Sequence, residues 1–325
     1  MSHYRPVAER INDYKRAETR LPEETLEREV KRCQDCGVPF CHACGCPLAN
    51  AIPEINSEVM AGRWASALAN LLSTSPFPEF TSRVCPALCE GSCVQGLNET
   101  AVPCRQVEFE VIERGFAAFL VRPRPPAGRL DCRAAIIGSG PAGLAAAWRL
   151  NQAGVSVTVY EKSAKAGGFL RYGIPDFKLE KEVLDRRIKI MEREGVEFEY
   201  GVEAGVDISL RLLSQRHQIL VLAGGARAKR DLAIPGRDLA GIHFATDYLT
   251  AQNRVINGEL SSLPPEYDAR GRRVVVIGGG DTGSDCLGTA WRQGALSVSQ
   301  FEIMPKPPET RAESNPWPQW PLILR

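Results

Sequence analysis

Cysteine spacing constrains this chain more than any other feature. One run reads Cys33-Gln34-Asp35-Cys36-Gly37-Val38-Pro39-Phe40-Cys41-His42-Ala43-Cys44-Gly45-Cys46, and a second reads Cys85-Pro86-Ala87-Leu88-Cys89-Glu90-Gly91-Ser92-Cys93. Nine of the 11 cysteines lie between Cys33 and Cys104. Such density means a disulfide framework or a metal-binding one. The start, Met1-Ser2-His3-Tyr4-Arg5-Pro6, has no apolar signal core, and the longest apolar stretches are strand-sized. The expected setting is therefore the cytoplasm, with no transmembrane span. Thiols stay reduced there, which favours metal. Thiolates select soft metals, and groups of three cysteines suit iron–sulfur clusters better than a zinc tetrahedron.

The 40 basic and 39 acidic residues leave a net charge of +1. That balance gives no electrostatic case for nucleic acid or an anionic membrane. Leu26, Val30 and Cys33 recur at helical spacing, so a helix leads into the first cysteine run. A second helix is expected from Ile52 to Leu72, interrupted near Gly62, and a third from Arg105 to Phe119. Arg122-Pro123-Arg124-Pro125-Pro126-Ala127-Gly128 cannot continue a helix and reads as a linker. Beyond it, short apolar strands at Ala134–Ile137, Val155–Tyr160, Ile219–Ala223 and Val274–Ile277 alternate with helical stretches. That alternation predicts α/β architecture with parallel sheets.

Two of these strands run into glycine loops. Gly138-Ser139-Gly140-Pro141-Ala142-Gly143 follows a strand and opens an Ala-rich helix, and Glu161 ends the next strand. In such a loop the first glycine permits the turn and the second lets a pyrophosphate approach the backbone. The third allows close helix–strand packing, and the acid accepts hydrogen bonds from a ribose. Gly278-Gly279-Gly280-Asp281-Thr282-Gly283 repeats the pattern, with Glu302 beyond it. By the simple rule that acid favours NAD over NADP. Asp281 and Thr282 are expected to shape the second phosphate loop. Between the loops, Gly167-Gly168-Phe169-Leu170-Arg171-Tyr172-Gly173-Ile174-Pro175 combines glycines, a cation and aromatics, and is a candidate flavin wrap. Lys162 beside Glu161, together with Gly168, Leu170, Arg171, Ile174 and the strand-ending Gly225, completes the flavin candidates. Flavin first and nicotinamide second is the expected order.

These segments carry a resemblance. The cysteine runs, Asn70 to Arg83 with Phe77-Pro78-Glu79-Phe80, and Gly168 to Lys181 (GFLRYGIPDFKLEK) resemble the small (β) subunit family of bacterial glutamate synthase. So do Leu232 to Gly236, Gly278 to Cys286, and Asn315 to Pro321. The resemblance spans essentially the whole chain. The same module occurs in dihydropyrimidine dehydrogenase and related oxidoreductases. The resemblance implies FAD, NADPH and two [4Fe–4S] clusters. It implies that Cys33, Cys36, Cys41 and Cys93 hold one cluster, and that Cys46, Cys85, Cys89 and Glu108 hold the other. It further implies a large (α) subunit that converts glutamine and 2-oxoglutarate into glutamate. No catalytic acid–base pair is expected on this chain.

The corresponding division is a helical iron–sulfur domain over 1–121, a linker over 122–131, an FAD-binding Rossmann-like part over 132–245 and a partial NAD(P)-binding part over 246–325. The family continues past the point that corresponds to Arg325, so the expectation is a C-terminally truncated version whose second sheet keeps an uncovered face or edge. Cys44 and Cys104 read as small buried residues, although Cys104 lies one helical turn before Glu108 and is an alternative cluster ligand. His42 reads as a satisfied or exposed histidine, and Arg311 as a weak candidate for a 2′-phosphate contact. Two rival readings stand beside the main one. The first is a non-catalytic iron–sulfur docking module. The second is a subunit of a related pyrimidine or sulfide oxidoreductase.

Overall fold

A computed structural model describes residues 4–324. The chain divides into two compact units. One comprises residues 4–6, 17–122 and 304–324. The other comprises residues 7–16, with the short helix α1 (Val7–Arg10), and residues 123–303.

The first unit is helical. Its elements are α2 (Glu23–Val30), α3 (Ile52–Met60), α4 (Trp64–Thr74), α5 (Pro78–Val84), α6 (Leu88–Gly91) and α7 (Cys104–Ala117). Acidic Glu23 and Glu24 occupy the first turn of α2, where the helix dipole favours them. The expected break near Gly62 separates α3 from α4, and Gly62 adopts a φ of 70° there. Leu26, Val30, Ile55, Leu68, Leu71, Val107 and Ile112 interlock as the main core. A second cluster is largely sulfur. Ile52, Ala87, Cys89, Val102 and Cys104 are buried together, with Cys33, Cys41, Cys46 and Cys93 packed against them.

The second unit holds a four-stranded parallel sheet in the order β3-β2-β1-β4, built from β1 (Arg133–Ile137), β2 (Ser156–Glu161), β3 (Glu197–Tyr200) and β4 (Ile219–Leu222). This is the first half of a doubly wound fold. Helix α8 (Pro141–Gln152) follows β1 and buries Leu144 and Ala147. The connections carry α9 (Phe169–Tyr172), α10 (Lys181–Arg193), α11 (Leu210–Arg216) and α12 (Ala245–Ile256). A separate two-stranded parallel sheet pairs β5 (Arg273–Ile277) with β6 (Ser297–Phe301), joined by α13 (Asp281–Gln293). Leu249, Val276 and Cys286 fill the space between that sheet and its helices. The opposite face is bare: Val275, Ile277 and Phe301 are 58%, 72% and 61% exposed.

Two boundaries differ from the sequence division: residues 7–16 group with the α/β unit, and the end of the chain regroups as well. Residues 304–324 group with the helical unit and not with β5 and β6. The cause is aromatic packing: Trp317 packs at a tilt against Phe40 with ring centroids 4.6 Å apart, and Trp320 covers Gly91. Strand β3 was not expected, because Glu197-Phe198-Glu199-Tyr200 lies largely exposed and lacks an apolar run.

Leu71 is fully buried at the centre of the helical core. Leu71→Ala should lower the stability of this unit by about 2–5 kcal/mol through lost burial and a residual cavity. Denaturant unfolding followed by circular dichroism checks this, and an unchanged midpoint would contradict the assigned core.

Candidate functional site

The cysteine site is built from loops that helices α3, α6 and α7 hold in place. A cavity is lined by Cys33, Cys36, Cys41 and Cys93, with Cys104 of α7, Phe40, Ile52 and Val102 also in its walls. The first four cysteines come from both runs. The Cys41–Gly45 segment forms a single π-helical turn, closed by the Cys46 N–H on the Cys41 carbonyl at 2.8 Å. Gly45 is required there, since a Cβ would meet the backbone of Cys89 at 2.6 Å. Burial, followed by the nearby Cys93, pushes the Cys41 thiol up to about 12. Burial and the proximity of Cys33 and Cys93 raise Cys36 too. Thiolates so placed repel one another in a low dielectric, and a cationic centre removes that cost.

Cys46, Cys85, Cys89 and Glu108 lie close to one another. Burial raises the Cys46 and Cys85 thiols, and Glu108 and Cys89 add to both shifts. Backbone N–H groups point at the sulfurs: Asn50 N lies 3.5 Å from Cys46 Sγ, and Ala87 N lies 3.4 Å from Cys85 Sγ. The Glu108 carboxyl is pushed up to about 7 by burial, against the opposing hydrogen bond that Asn50 Nδ2 donates at 2.8 Å. Asn50, absent from the sequence expectations, is the hub here. Its Oδ1 accepts from Thr74 Oγ1 at 2.7 Å, and its carbonyl lies 3.0 Å from His42 Nδ1. His42 is thus a satisfied histidine. Cys104 is buried and hydrogen-bonded to Cys89. Cys44 is exposed, contrary to the expectation of burial, because it sits on the outer side of the π-helical turn.

All 11 cysteines are free thiols. Among the described residues, no three His, Cys, Asp or Glu side chains converge tightly enough for one metal ion. The donor set is instead spread around a cavity, sulfur-rich and apolar-walled, and fits a polynuclear iron–sulfur group.

The two glycine loops have one construction. Gly138 and Gly278 turn the chain at φ of 99° and 117°. A Cβ on Gly140 or Gly280 would meet no protein atom, so the space beside each backbone is open. A Cβ on Gly143 would overlap the Gly138 carbonyl oxygen, and one on Gly283 would overlap that of Gly278. Pro141 starts α8 and Asp281 starts α13, so each loop ends at a helix N-terminus. Ala142 lies in the first turn of α8, and Thr282 lies exposed in that of α13. The open space fits a dinucleotide phosphate approaching the backbone.

The acids brace the loops. Glu161 Oε2 accepts from Ser139 N at 3.0 Å and Ser139 Oγ at 2.5 Å, and its Oε1 accepts from Ser163 N at 2.8 Å. Burial opposes ionisation of Glu161, but the hydrogen bonds from Ser139 and Ser163 outweigh it and hold the carboxyl below its usual range. Glu302 Oε2 accepts from Gly279 N at 2.6 Å in the corresponding position.

The intervening candidates divide. Gly168, at φ 52°, lies against Gly140, where a Cβ would stand 2.8 Å from the Gly140 Cα. Gly167 N donates to Ser139 Oγ at 3.1 Å. Gly225 turns at φ 72° just beyond β4. Leu170 is buried and Ile174 half-buried. Lys162 pairs with Glu203 on the surface at 3.1 Å. Arg171 faces inward at 1% exposure, bonding Ala166 O and Asp185 at 2.5 Å and Asn257 Oδ1 at 3.4 Å. It shapes the loop from inside. Arg311 is also corrected: its Nη1 donates to Gln319 O at 2.7 Å and its Nη2 approaches Gly91 O, so it braces the 304–324 stretch.

Lys181, at the end of the GFLRYGIPDFKLEK stretch, donates to Ile174 O and Leu179 O at 2.7 and 2.9 Å. Burial pushes its ammonium down to about 8, opposed by Asp176. Between pH 8 and the ordinary lysine value of 10.5, the unfolded chain holds the proton that the folded chain has released. This group therefore makes stability rise with pH across that window. Lys181→Met should flatten the rise in urea midpoints, and parallel curves for both proteins would contradict the shift.

Residues 10–118 match the family model described as dihydropyrimidine dehydrogenase domain II, 4Fe-4S cluster. Residues 132–315 match that of pyridine nucleotide-disulphide oxidoreductase. The chain is 51% identical over 324 residues to a glutamate synthase [NADPH] small chain of Mycobacterium tuberculosis, covering 99% of this chain and 66% of that one. It is 47% identical to the Bacillus subtilis protein of the same description, covering 97% and 66%. It is 48% identical to part of a glutamate synthase [NADH] of Schizosaccharomyces pombe, covering 99% of this chain and 15% of that one. The chain thus spans just under two thirds of the small chains it matches.

Proposed function

This chain belongs to the pyridine nucleotide-disulphide oxidoreductase family, and on that premise we propose that it is the electron-delivering small-chain part of a glutamate synthase. It takes reducing equivalents from NADPH in the cytoplasm and delivers them to a large subunit that makes L-glutamate from L-glutamine and 2-oxoglutarate. One observation carries the reading. A cavity lined by cysteines from two distant runs shares a chain with two glycine loops of matching construction.

FAD and two [4Fe–4S] clusters, when bound, supply hydride acceptance and single-electron release. The chain's own residues hold and orient them. Cys33, Cys36, Cys41 and Cys93 take one cluster; Cys46, Cys85 and Cys89 take the other, with Glu108 as fourth ligand. Cys104 is buried, hydrogen-bonds Cys89 and lines the cavity beside these ligands. Gly140, Ala142 and Gly143 present backbone N–H groups to the FAD pyrophosphate and Pro141 opens the α8 N-terminus beside it, while Gly138 and Ser139, whose N–H groups bond Tyr160 O and Glu161, set the turn. Gly280, Asp281, Thr282 and Gly283 present theirs to the nicotinamide dinucleotide, and Gly278, whose N–H bonds Phe301 O, sets the second turn. Glu302 accepts from Gly279 N, and the choice of NADPH is supported by the likeness to glutamate synthase [NADPH] small chains.

Anaerobic addition of NADPH to purified protein should bleach flavin absorbance. NADPH should outpace NADH by at least tenfold, the effect of about 1.4 kcal/mol of preferential binding. Cys36→Ser should remove one cluster signal and leave the flavin bands intact. Equal response to both nucleotides would overturn the nucleotide assignment. Absence of any bleaching in flavin-containing protein would overturn electron uptake by this chain.

A further inference from the structure

The 304–324 stretch has no part in the function proposed above, yet it is built with care. Asn315 is buried, and its side chain ties the stretch into a hook. Its Nδ2 donates to Trp320 O at 3.2 Å, and its Oδ1 accepts from Leu322 N at 2.9 Å. Arg311 closes the hook through Asn315 O and Gln319 O at 3.2 and 2.7 Å. The hook lands on the walls of the cysteine site. Trp317 packs on Phe40, which lines the cavity of Cys33, Cys36, Cys41 and Cys93. Trp320 and Pro321 cover Gly91, where a Cβ would meet them at 2.9 and 3.1 Å. Gly91 lies between Cys89 and Cys93. The buried Ser92 hydroxyl in turn reaches Phe40 O at 3.4 Å, so both landing points are linked behind the hook. The Trp317 indole N–H is buried and has no hydrogen-bond partner. The ring is held there by packing, not by a polar anchor.

We propose that the Trp317–Trp320 hook is a water-excluding cover on the cavity of Cys33, Cys36, Cys41 and Cys93, and that it sets how exposed, and hence how reducible, the cluster held there is. The proposal rests on the assignment of a cluster to those four cysteines. An apolar shell limits solvent access and lowers the local dielectric, both of which govern potential and lability. Water admitted to the cavity stabilises the more highly charged reduced cluster. Loss of the cover should therefore move the midpoint to a less negative value. Trp317 acts through Phe40 and is a positioning residue.

The test uses the anaerobically purified full chain, with redox titration followed by electron paramagnetic resonance and with chelator-driven bleaching of cluster absorbance. Trp317→Ala should speed loss of one cluster by roughly tenfold, the lower end for groups that surround a metal site. It should also raise the midpoint of that cluster alone. Trp317→Phe keeps an aromatic cover and should behave as the parent. Arg311→Ala loosens the hook while leaving Trp317 and Phe40 unaltered. It should give a smaller change in the same direction, and it keeps the test open if Trp317→Ala does not accumulate. A lower melting temperature with unchanged potential and lability would overturn the proposal and leave the hook a structural brace. A parent protein without any cluster signal would overturn the underlying cluster assignment as well.

Discussion

The burial of many thiols in one small volume is the constraint on which the helical unit depends. Cys89 and Cys104 are buried, and Cys33, Cys41, Cys46 and Cys93 pack against the same cluster. This second core has few aliphatic side chains of its own. Its sulfurs are reduced and free, and burial drives the Cys41 thiol up to about 12. A cationic iron–sulfur centre makes the thiolate forms favourable there and joins loops that sulfur packing alone holds weakly. The site and half the core are then the same object. Features around it follow from that identity: the π-helical turn, Gly45 against Cys89, the backbone N–H groups on Cys46 and Cys85, and the Asn50 hub.

The second unit meets a different demand. A glycine loop that leaves its backbone open to a ligand must be held from behind. Glu161 does this for the first loop through Ser139 and Ser163, and Glu302 does it for the second through Gly279. Gly167 and Gly168 pack on the first loop, and Arg171 anchors their segment from inside by bonding Ala166, Asp185 and Asn257. A guanidinium this buried is tolerable only with such partners. Chemistry is thus left to the cofactors, and the protein residues supply rigidity.

Cysteine runs and glycine loops were legible in the sequence because their spacing is itself the chemistry. The break at Gly62, the linker after α7 and four of the strands were legible because turn residues and apolar runs are local signals. What escaped depends on distant partners. Asn50 is an ordinary amide until the chain places Glu108 beside it. Arg171 had the profile of a ligand-binding cation, and only the position of Asp185 and Asn257 turns it inward. Arg311 and the Trp317 stretch followed a nucleotide unit in sequence, but aromatic contact with Phe40 and Gly91 outweighed that proximity. Strand β3 has exposed glutamates where an apolar pattern was needed.

Mössbauer spectroscopy of iron-57-loaded, anaerobically purified protein, paired with acid-labile sulfide, tests the central claim most directly. The account predicts four-iron cubane parameters, with matched iron and sulfide sufficient for two clusters per chain. It also predicts an inequivalent iron site in one of them, where Glu108 replaces a thiolate. Mononuclear iron or zinc in place of iron and sulfide would contradict the assignment of the sulfur core as a cluster site.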